Sequence, residues 1–212
     1  VYKRQVGGGN NQAIGAYSFI GGGGDAGTSS NRNVASGDWS VVVGGTKGTA
    51  SGAGSFIGSG NYAGGSHTAS GQNSFIGSGY ANTASGSASG VVNGHDNTAN
   101  GAFSFVAGGA YGNTRSLNAY YVFPSSAPIA STSGVSQAAI VVLGVQTTDA
   151  TATVLRIDGA AAGTTNQVIL PNNSAYYFRG EVISGVTGGG NTKGWYIEGV
   201  IKRGANAAST AL

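Results

Sequence analysis

A short pattern, Gly-x-x-Ser, occurs six times in the first half of the chain and constrains the fold more than any other feature. The copies read "AIGAYSFIGGG", "ASGDWSVVVGG", "ASGAGSFIGSG", "ASGQNSFIGSG", "ASGSASGVVNG" and "ANGAFSFVAGG". Their anchor glycines are Gly15, Gly37, Gly52, Gly71, Gly86 and Gly101, so the basic period is 15 residues with insertions of seven and four. This period is too short for helix-pair repeats and is typical of a β-solenoid turn. We predict about six stacked coils that rise roughly 29 Å.

Two bulky residues follow the serine of the pattern in five of the six copies. The pairs are Phe19-Ile20, Val41-Val42, Phe56-Ile57, Phe75-Ile76 and Phe105-Val106, and the remaining copy has Gly90-Val91. Adjacent residues of a strand point to opposite faces, so aliphatic second members inside the coil would direct the phenylalanines outward. The reverse arrangement would expose an equally large aliphatic ladder. Either arrangement predicts that further copies of the chain cover one apolar face.

Composition divides the chain near residues 113–118. Residues 1–112 hold 29 of the 41 glycines and residues 113–212 hold 12. The second part has alternating apolar runs typical of strands, with a hairpin predicted over 139–147 and 151–158 and two later strands in "SAYYFRGEVISG" and "KGWYIEGVIKRG". We predict a repeat domain over 1–112 and, over 113–212, a small antiparallel β-sandwich-like domain of five or six strands.

Three segments of the repeat carry a family resemblance: "NSFIGSGYANTASG", "GVVNGHDNTANG" and "SFVAGGAYGNT". They resemble the head repeats of trimeric autotransporter adhesins, the YadA-like family, over roughly residues 10–112. The resemblance implies a homotrimer of parallel, left-handed β-rolls with Phe19, Phe56, Phe75 and Phe105 at the trimer interface. The sequence differs from the family in having Phe or Val where many members carry smaller residues, and in its two insertions.

The second part is similar to a segment found near the ends of phage tail-fibre proteins, over most of residues 138–212. The two resemblances together imply the distal, receptor-binding part of a phage or virus tail fibre, located in the virion. The expected receptor is a host cell-surface glycan or lipopolysaccharide. The alternative is a bacterial surface adhesin fibre of phage-like origin, which would also need a membrane anchor.

Side-chain chemistry for catalysis or metal binding is sparse. The seven carboxylates form no pair that is close in sequence, and no Gly-rich run continues into a phosphate-binding motif, so we expect no enzyme. A polysaccharide depolymerase stays open only if a trimer brings carboxylates together. His67 and His95 occupy different repeat positions and there is no cysteine, so we expect no metal or other cofactor. The thinly spread net charge of +3 and the lack of an 18-residue apolar run predict neither nucleic-acid binding nor membrane insertion.

Exposed aromatic residues are the remaining candidates for recognition, because their faces stack on sugars. Neighbouring corner positions, six or seven residues after the serine of the pattern, carry Tyr62, Tyr80 and Tyr111, together with His95. The second domain adds Tyr176, Tyr177, Trp195 and Tyr196, with the Asn191 side chain as an amide hydrogen-bonding group. Core packing is the alternative role for these aromatic residues.

Overall fold

The computed structural model describes residues 4–25, 27–59, 64–186 and 188–212. It is all-β, with short 3-10 turns at Ser29–Asn31 and Ala207–Ser209 and no α-helix in the described ranges, hence no helix able to cross a membrane there. The strands are β1 (Arg4–Gln5), β2 (Gln12–Ala13), β3 (Phe19–Ile20), β4 (Val34–Ala35), β5 (Val41–Val42), β6 (Gly48–Ala50), β7 (Phe56–Ile57), β8 (His67–Ala69), β9 (Phe75–Ile76), β10 (Thr83–Ala84), β11 (Gly90–Val91), β12 (Thr98–Ala99), β13 (Phe105–Val106), β14 (Tyr121–Pro124), β15 (Gln137–Ile140), β16 (Ser174–Ser184), β17 (Lys193–Arg203) and β18 (Thr210–Ala211). The chain forms two compact units, Val1–Gln167 and Val168–Leu212.

The first unit contains a β-solenoid of about six coils, as the repeat predicts. Its first sheet has the parallel order β1-β3-β5-β7-β9-β11-β13-β14, and its second sheet has the parallel order β2-β4-β6-β8-β10-β12. Strands of successive coils pair in the register that the aligned repeats require. Phe56 pairs with Phe75 and Thr83 with Thr98, for example.

The interior of the solenoid is a column of aliphatic side chains that faces a column of alanines. The aliphatic residues from the first sheet are completely buried: Ile20, Val42, Ile57, Ile76, Val91 and Val106. The alanines from the second sheet are also completely buried: Ala35, Ala50, Ala69, Ala84 and Ala99. A large residue opposite a small one fills the narrow space between two short strands. This arrangement confirms that the aliphatic member of each Phe-Ile or Phe-Val pair lies inside.

The anchor glycines lie where the backbones of successive coils approach each other most closely. A Cβ atom at Gly71 would lie 1.9 Å from the carbonyl oxygen of Gly86, and one at Gly86 would lie 2.0 Å from that of Gly101. Any side chain at this position would overlap with the next coil, so only glycine allows successive coils to stack this closely.

A second column, of buried polar side chains, joins the coils through backbone hydrogen bonds. The amide oxygens of Asn82 and Asn97 accept the backbone N–H of the residue 15 positions later, at 3.0 and 2.8 Å. Their Nδ2 atoms donate to the carbonyl oxygens of Gly94 and Gly109, 12 positions later. His67 occupies the same position in its coil.

The solenoid continues one coil beyond residue 112 and then closes. Tyr121 and Val122 in β14 pair in parallel with Phe105 and Val106, and β15 adds to β14 in antiparallel orientation. In this last coil Leu117 and Tyr120 are buried. The backbone of Leu117 takes the position next to Gly101 that an anchor glycine takes in the earlier coils. Larger apolar side chains thus cover the end of the core, and this last coil departs from the repeat, as terminal repeats commonly do.

The second unit is an antiparallel sheet of order β16-β17-β18. Within residues 113–212, β14 and β15 extend the first sheet of the solenoid, and only β16, β17 and β18 form the separate antiparallel sheet. The hairpin predicted over 139–147 and 151–158 is not formed as two strands. The chain has only one antiparallel bridge there, between Gly144 and Arg156, because residues 137–140 pair with β14 instead.

Candidate functional site

One corner of the solenoid carries ring side chains from successive coils: Tyr80, His95 and Tyr111. The Tyr80 and His95 rings are stacked, with centroids 4.7 Å apart and an interplanar angle of 12°. The His95 and Tyr111 rings meet edge to face at 5.4 Å. All three are partly exposed, so they form one aromatic edge. The structure thus brings Tyr80 and Tyr111 together with His95, whereas Tyr62 lies outside the described residues.

The backbone at this corner holds the rings in place. Asp96 and Tyr111 adopt left-handed conformations with φ of 53° and 60°. Their N–H groups donate to the carbonyl oxygens of Tyr80 and His95 in the preceding coil, both at 2.9 Å. His95 Nδ1 lies 3.3 Å from Asp96 Oδ2. The edge therefore combines aromatic faces with an imidazole and a carboxylate, a set suited to binding sugars, which present both C–H faces and hydroxyl groups.

The hairpin of the second unit separates its four predicted aromatic residues onto two faces. In the register of β16 and β17, Tyr177 lies opposite Val200 and Tyr196 opposite Glu181, all on one face. Tyr176 and Trp195 lie on the other face, because neighbouring residues of a strand alternate in direction. Asn191 lies in the turn at the far end of the hairpin from Tyr177 and has a φ of 47°. These residues therefore do not form a single cluster.

The Glu198 carboxylate accepts hydrogen bonds from two exposed tyrosines of the hairpin. Tyr177 and Tyr196 are each 61% exposed, and both hydroxyls donate to Glu198, Tyr177 to Oε1 at 2.6 Å and Tyr196 to Oε2 at 3.2 Å. The hydrogen bond to Glu198 raises the pKa of Tyr177. The face is thus a polar aromatic surface on which Glu198 lies directly opposite Arg179.

The outward side of the first solenoid sheet carries an aromatic ladder. In register, its members are Phe19, Val41, Phe56, Phe75, Gly90, Phe105 and Tyr121. The Phe56 and Phe75 rings stack at 5.5 Å, and the Phe105 and Tyr121 rings meet edge to face at 6.2 Å. Phe75 and Phe105 lie over the position of Gly90, where a Cβ atom would be 3.9 and 3.4 Å from their rings. The ladder is therefore continuous, and Tyr121 extends the predicted set of phenylalanines.

Two carboxylates of the first unit, those of Asp25 and Asp158, accept hydrogen bonds from nearby backbone and amide groups. Asp25 accepts the N–H of Gly27 and the Asn31 amide, and these bonds lower its pKa. Asp158 accepts amide hydrogens from Asn166 and Asn118, and this lowers its pKa as well. Within the described ranges, no three His, Asp or Glu side chains are grouped so as to hold a metal ion. These aspartates act as turn and loop acceptors.

A groove of about 750 Å³ lies in the first unit beside the last coil. Its apolar lining includes Tyr121, Ile140 and Ile157, and its charged lining residues are Arg156 and Asp158. The Arg156 guanidinium donates to the Ala160 carbonyl, and Asp158 is bound to two asparagines. The polar groups of the groove are thus used in holding the loop itself.

One aromatic pair was missed by the sequence analysis. Tyr17 and Trp39 follow their anchor glycines by two residues, and their rings are parallel, with centroids 6.2 Å apart. Aligning this column of the repeat would have shown that the two side chains are neighbours.

Comparisons of the chain with family models, curated proteins and solved structures return no match.

Proposed function

We propose that the chain forms the distal part of a homotrimeric phage or virus tail fibre and binds a host cell-surface glycan or lipopolysaccharide. The observation that supports it most is the outward aromatic ladder. The two resemblances in the sequence give the proposal its biological setting, a virion.

The ladder supports self-association because the solenoid core is complete without it. Ile57 and Ile76 fill the interior, while the adjoining Phe56 and Phe75 lie on the outer side of the same strands. Phe75 is 40% exposed. An apolar stripe along seven coils is a large surface to leave in water. Three copies arranged around an axis parallel to the stripe would bury all three ladders against one another.

The exposed surfaces favour recognition of a polar ligand of low charge. The Tyr80–His95–Tyr111 edge and the Tyr177–Tyr196 surface each combine aromatic rings with a carboxylate acceptor, from Asp96 and Glu198. A net charge of +3 over 212 residues gives little attraction for a polyanion. Three identical weak sites on a rigid trimer gain strength through avidity on a cell surface that repeats its glycans.

Binding without turnover is consistent with the state of the carboxylates. Glycoside hydrolysis uses two carboxylates separated by about 5 to 9.5 Å across the sugar bond. Asp25 and Asp158 are bound to backbone and amide groups of their own loops instead. These hydrogen bonds give the two aspartates a structural role, and we assign recognition to the exposed aromatic surfaces.

The first test is the solution mass of the intact chain by light scattering. We expect about 62 kDa, three times the 20.7 kDa chain. The double substitution Phe56→Asp/Phe75→Asp should reduce the mass to that of a single chain, because charges would replace the buried stripe. The matched control is Phe103→Asp, since Phe103 is 63% exposed at a corner and outside the ladder. A monomeric wild-type chain would refute the trimer.

The second test is binding to an array of bacterial surface glycans. We expect the wild-type chain to bind a subset of them and the monomeric double variant to bind the same subset more weakly, because avidity is lost. Release of new reducing ends from a bound glycan would contradict the assignment of binding without hydrolysis.

A further inference from the structure

We infer that Tyr17 and Trp39 form a binding platform for an oligosaccharide at a second corner of the solenoid. This inference rests on the proposed glycan-binding function and names a site for it on the first unit. The ligand class is a polyhydroxylated chain of at least two sugar rings.

The two rings are exposed and parallel. Their centroids are 6.2 Å apart with an interplanar angle of 4°, and Tyr17 and Trp39 are 55% and 60% exposed. Aromatic faces carry partial negative charge and attract the C–H groups on the apolar face of a pyranose. The pair is stacked, so each ring offers its outer face and edges, and a ligand that contacts both rings has to be longer than one sugar ring.

The corner of the solenoid does not require aromatic side chains, because other coils form it with smaller residues. Tyr17 and Trp39 have left-handed φ values of 57° and 56°, which are costly for bulky side chains. The same column carries Gly54, Asn73 and Ala88 in the following coils, also with positive φ. These smaller residues satisfy the corner, and Gly or Asn does so at lower cost. The left-handed backbone thus belongs to every coil, and the bulky side chains of Tyr17 and Trp39 go beyond what the corner requires.

Hydrogen bonds join the two backbone segments that carry the rings. The Ala16 N–H donates to Asp38 Oδ1, and the Trp39 N–H donates to the Ala16 carbonyl, both at 2.8 Å. The residue before each ring is therefore bonded to the other coil, which gives a platform ordered before the ligand arrives.

Polar groups adjoin the rings on both sides. Asp38 immediately precedes Trp39 and offers carboxylate lone pairs to sugar hydroxyls. Arg4 lines a shallow depression together with Tyr17, Ser18 and Phe19, and its guanidinium can only donate hydrogen bonds. An acceptor and a donor beside an aromatic surface match the hydroxyl groups around the rim of a sugar ring.

The chain contains a matched control for this arrangement. Phe103 occupies the same column, has a φ of 57° and is 63% exposed. The N–H of Ala102 donates to Asn118 Oδ1, as that of Ala16 does to Asp38. The next coil, however, places Ala119 beside Phe103, so the corner has one ring where the proposed platform has two.

The experiment uses the intact chain labelled with 5-fluorotryptophan, which has two resonances because Trp39 and Trp195 are its only tryptophans. Trp39→Phe assigns them. The probes are oligosaccharides released from bacterial O-antigens, with maltotetraose and chitotetraose, each titrated to millimolar concentration. We expect saturable movement of the Trp39 resonance with at least one probe. Tyr17→Ala should weaken that binding at least about tenfold, whereas Phe103→Ala should leave it within about twofold.

Three results would overturn the platform. One is movement of the Trp195 resonance alone, which would leave the proposed function standing and place the ligand on the hairpin. Another is glycan binding on the array with neither resonance moving. The third is a lower solution mass for Tyr17→Ala, which would make the pair a contact between copies. Failure of every glycan to bind on the array would instead remove the proposed function itself.

Discussion

At the scale of single residues, close backbone contact explains why the repeat requires its anchor glycines. Gly71→Ala would place Cβ 1.9 Å from the Gly86 carbonyl oxygen, so two coils would have to separate. We expect a loss of about 3 kcal/mol or more in the free energy of unfolding, measured by urea denaturation. The control is Gly44→Ala, because a Cβ atom there has no neighbour within 4 Å. Equal losses for the two variants would contradict the steric explanation.

His67 makes the same two kinds of hydrogen bond as the asparagines of the buried polar column. Its Nδ1 accepts the Asn82 N–H at 3.1 Å, so the ring proton lies on Nε2, which donates to the Gly79 carbonyl, also at 3.1 Å. These two bonds correspond to those of Oδ1 and Nδ2 in Asn82 and Asn97. Protonation of Nδ1 would place an N–H donor of the ring directly against the Asn82 N–H donor inside the core.

Burial lowers the pKa of His67, and this predicts acid sensitivity. The unfolded chain binds a proton near the ordinary pKa of about 6.5 while the folded chain resists it, so stability is complete above that value and falls as the pH drops below it. We expect His67→Asn to reduce the loss of Tm between pH 7.5 and pH 5. His95→Asn, at an exposed corner, is the control. An unchanged pH profile for His67→Asn would refute the explanation.

At the scale of elements, a glycine-to-alanine substitution inside a strand is expected to stabilise the chain, in contrast to Gly71→Ala at an anchor position. Gly90 of β11 has space for a methyl group, because a Cβ atom would meet the Phe105 ring at 3.4 Å. Gly90→Ala should stabilise the chain by about 0.5 to 1 kcal/mol, since glycine loses more backbone entropy in a strand. Gly71→Ala, measured in the same urea titration, serves as the reference variant. A destabilised Gly90→Ala would show that the ladder cannot accept a side chain there.

The solenoid elements were predictable because one period fixes both register and direction. Equal offsets from an anchor glycine place Tyr80 and His95 at one corner, and the two-residue alternation places Phe75 outside and Ile76 inside. The same alternation indicates that Tyr176 and Tyr177 face opposite sides of the hairpin. Those parts of the fold follow from counting along the sequence.

Other elements could not be predicted because tertiary contacts decide their pairing. The apolar run from residue 139 onward is consistent with a local hairpin, but the open edge of β14 takes residues 137–140 as its partner. The last coil escaped detection because Leu117 and Tyr120 replace the glycine and serine of the repeat. An end cap needs larger apolar residues than a repeating coil, so its sequence departs from the pattern that identifies the coils.

At the scale of the whole molecule, the solenoid should behave as a stack of exchangeable units. Removing residues 84–98 joins Thr83 to Ala99, the same pair of residues that forms β10 and β12. Phe75 would then stack on Phe105, and Gly71 would lie against Gly101. Because each coil contacts only its neighbours, we expect a folded chain whose Tm falls by less than about 10 °C.

The length of the deletion decides whether the remaining coil can close. Longer coils are accommodated, since two of the repeats carry insertions of seven and four residues, and a longer loop costs little additional closure entropy. Removing residues 81–98 instead shortens the spacing from Gly71 to Gly101 to 12, too short to complete the two strands and corners of a 15-residue turn. We expect this variant to lose the cooperative melting transition in circular dichroism that the deletion of 84–98 retains. If both deletion variants melt alike, the number of residues in a coil does not limit the stability of the stacked coils. The 15-residue period would then have no structural requirement behind it.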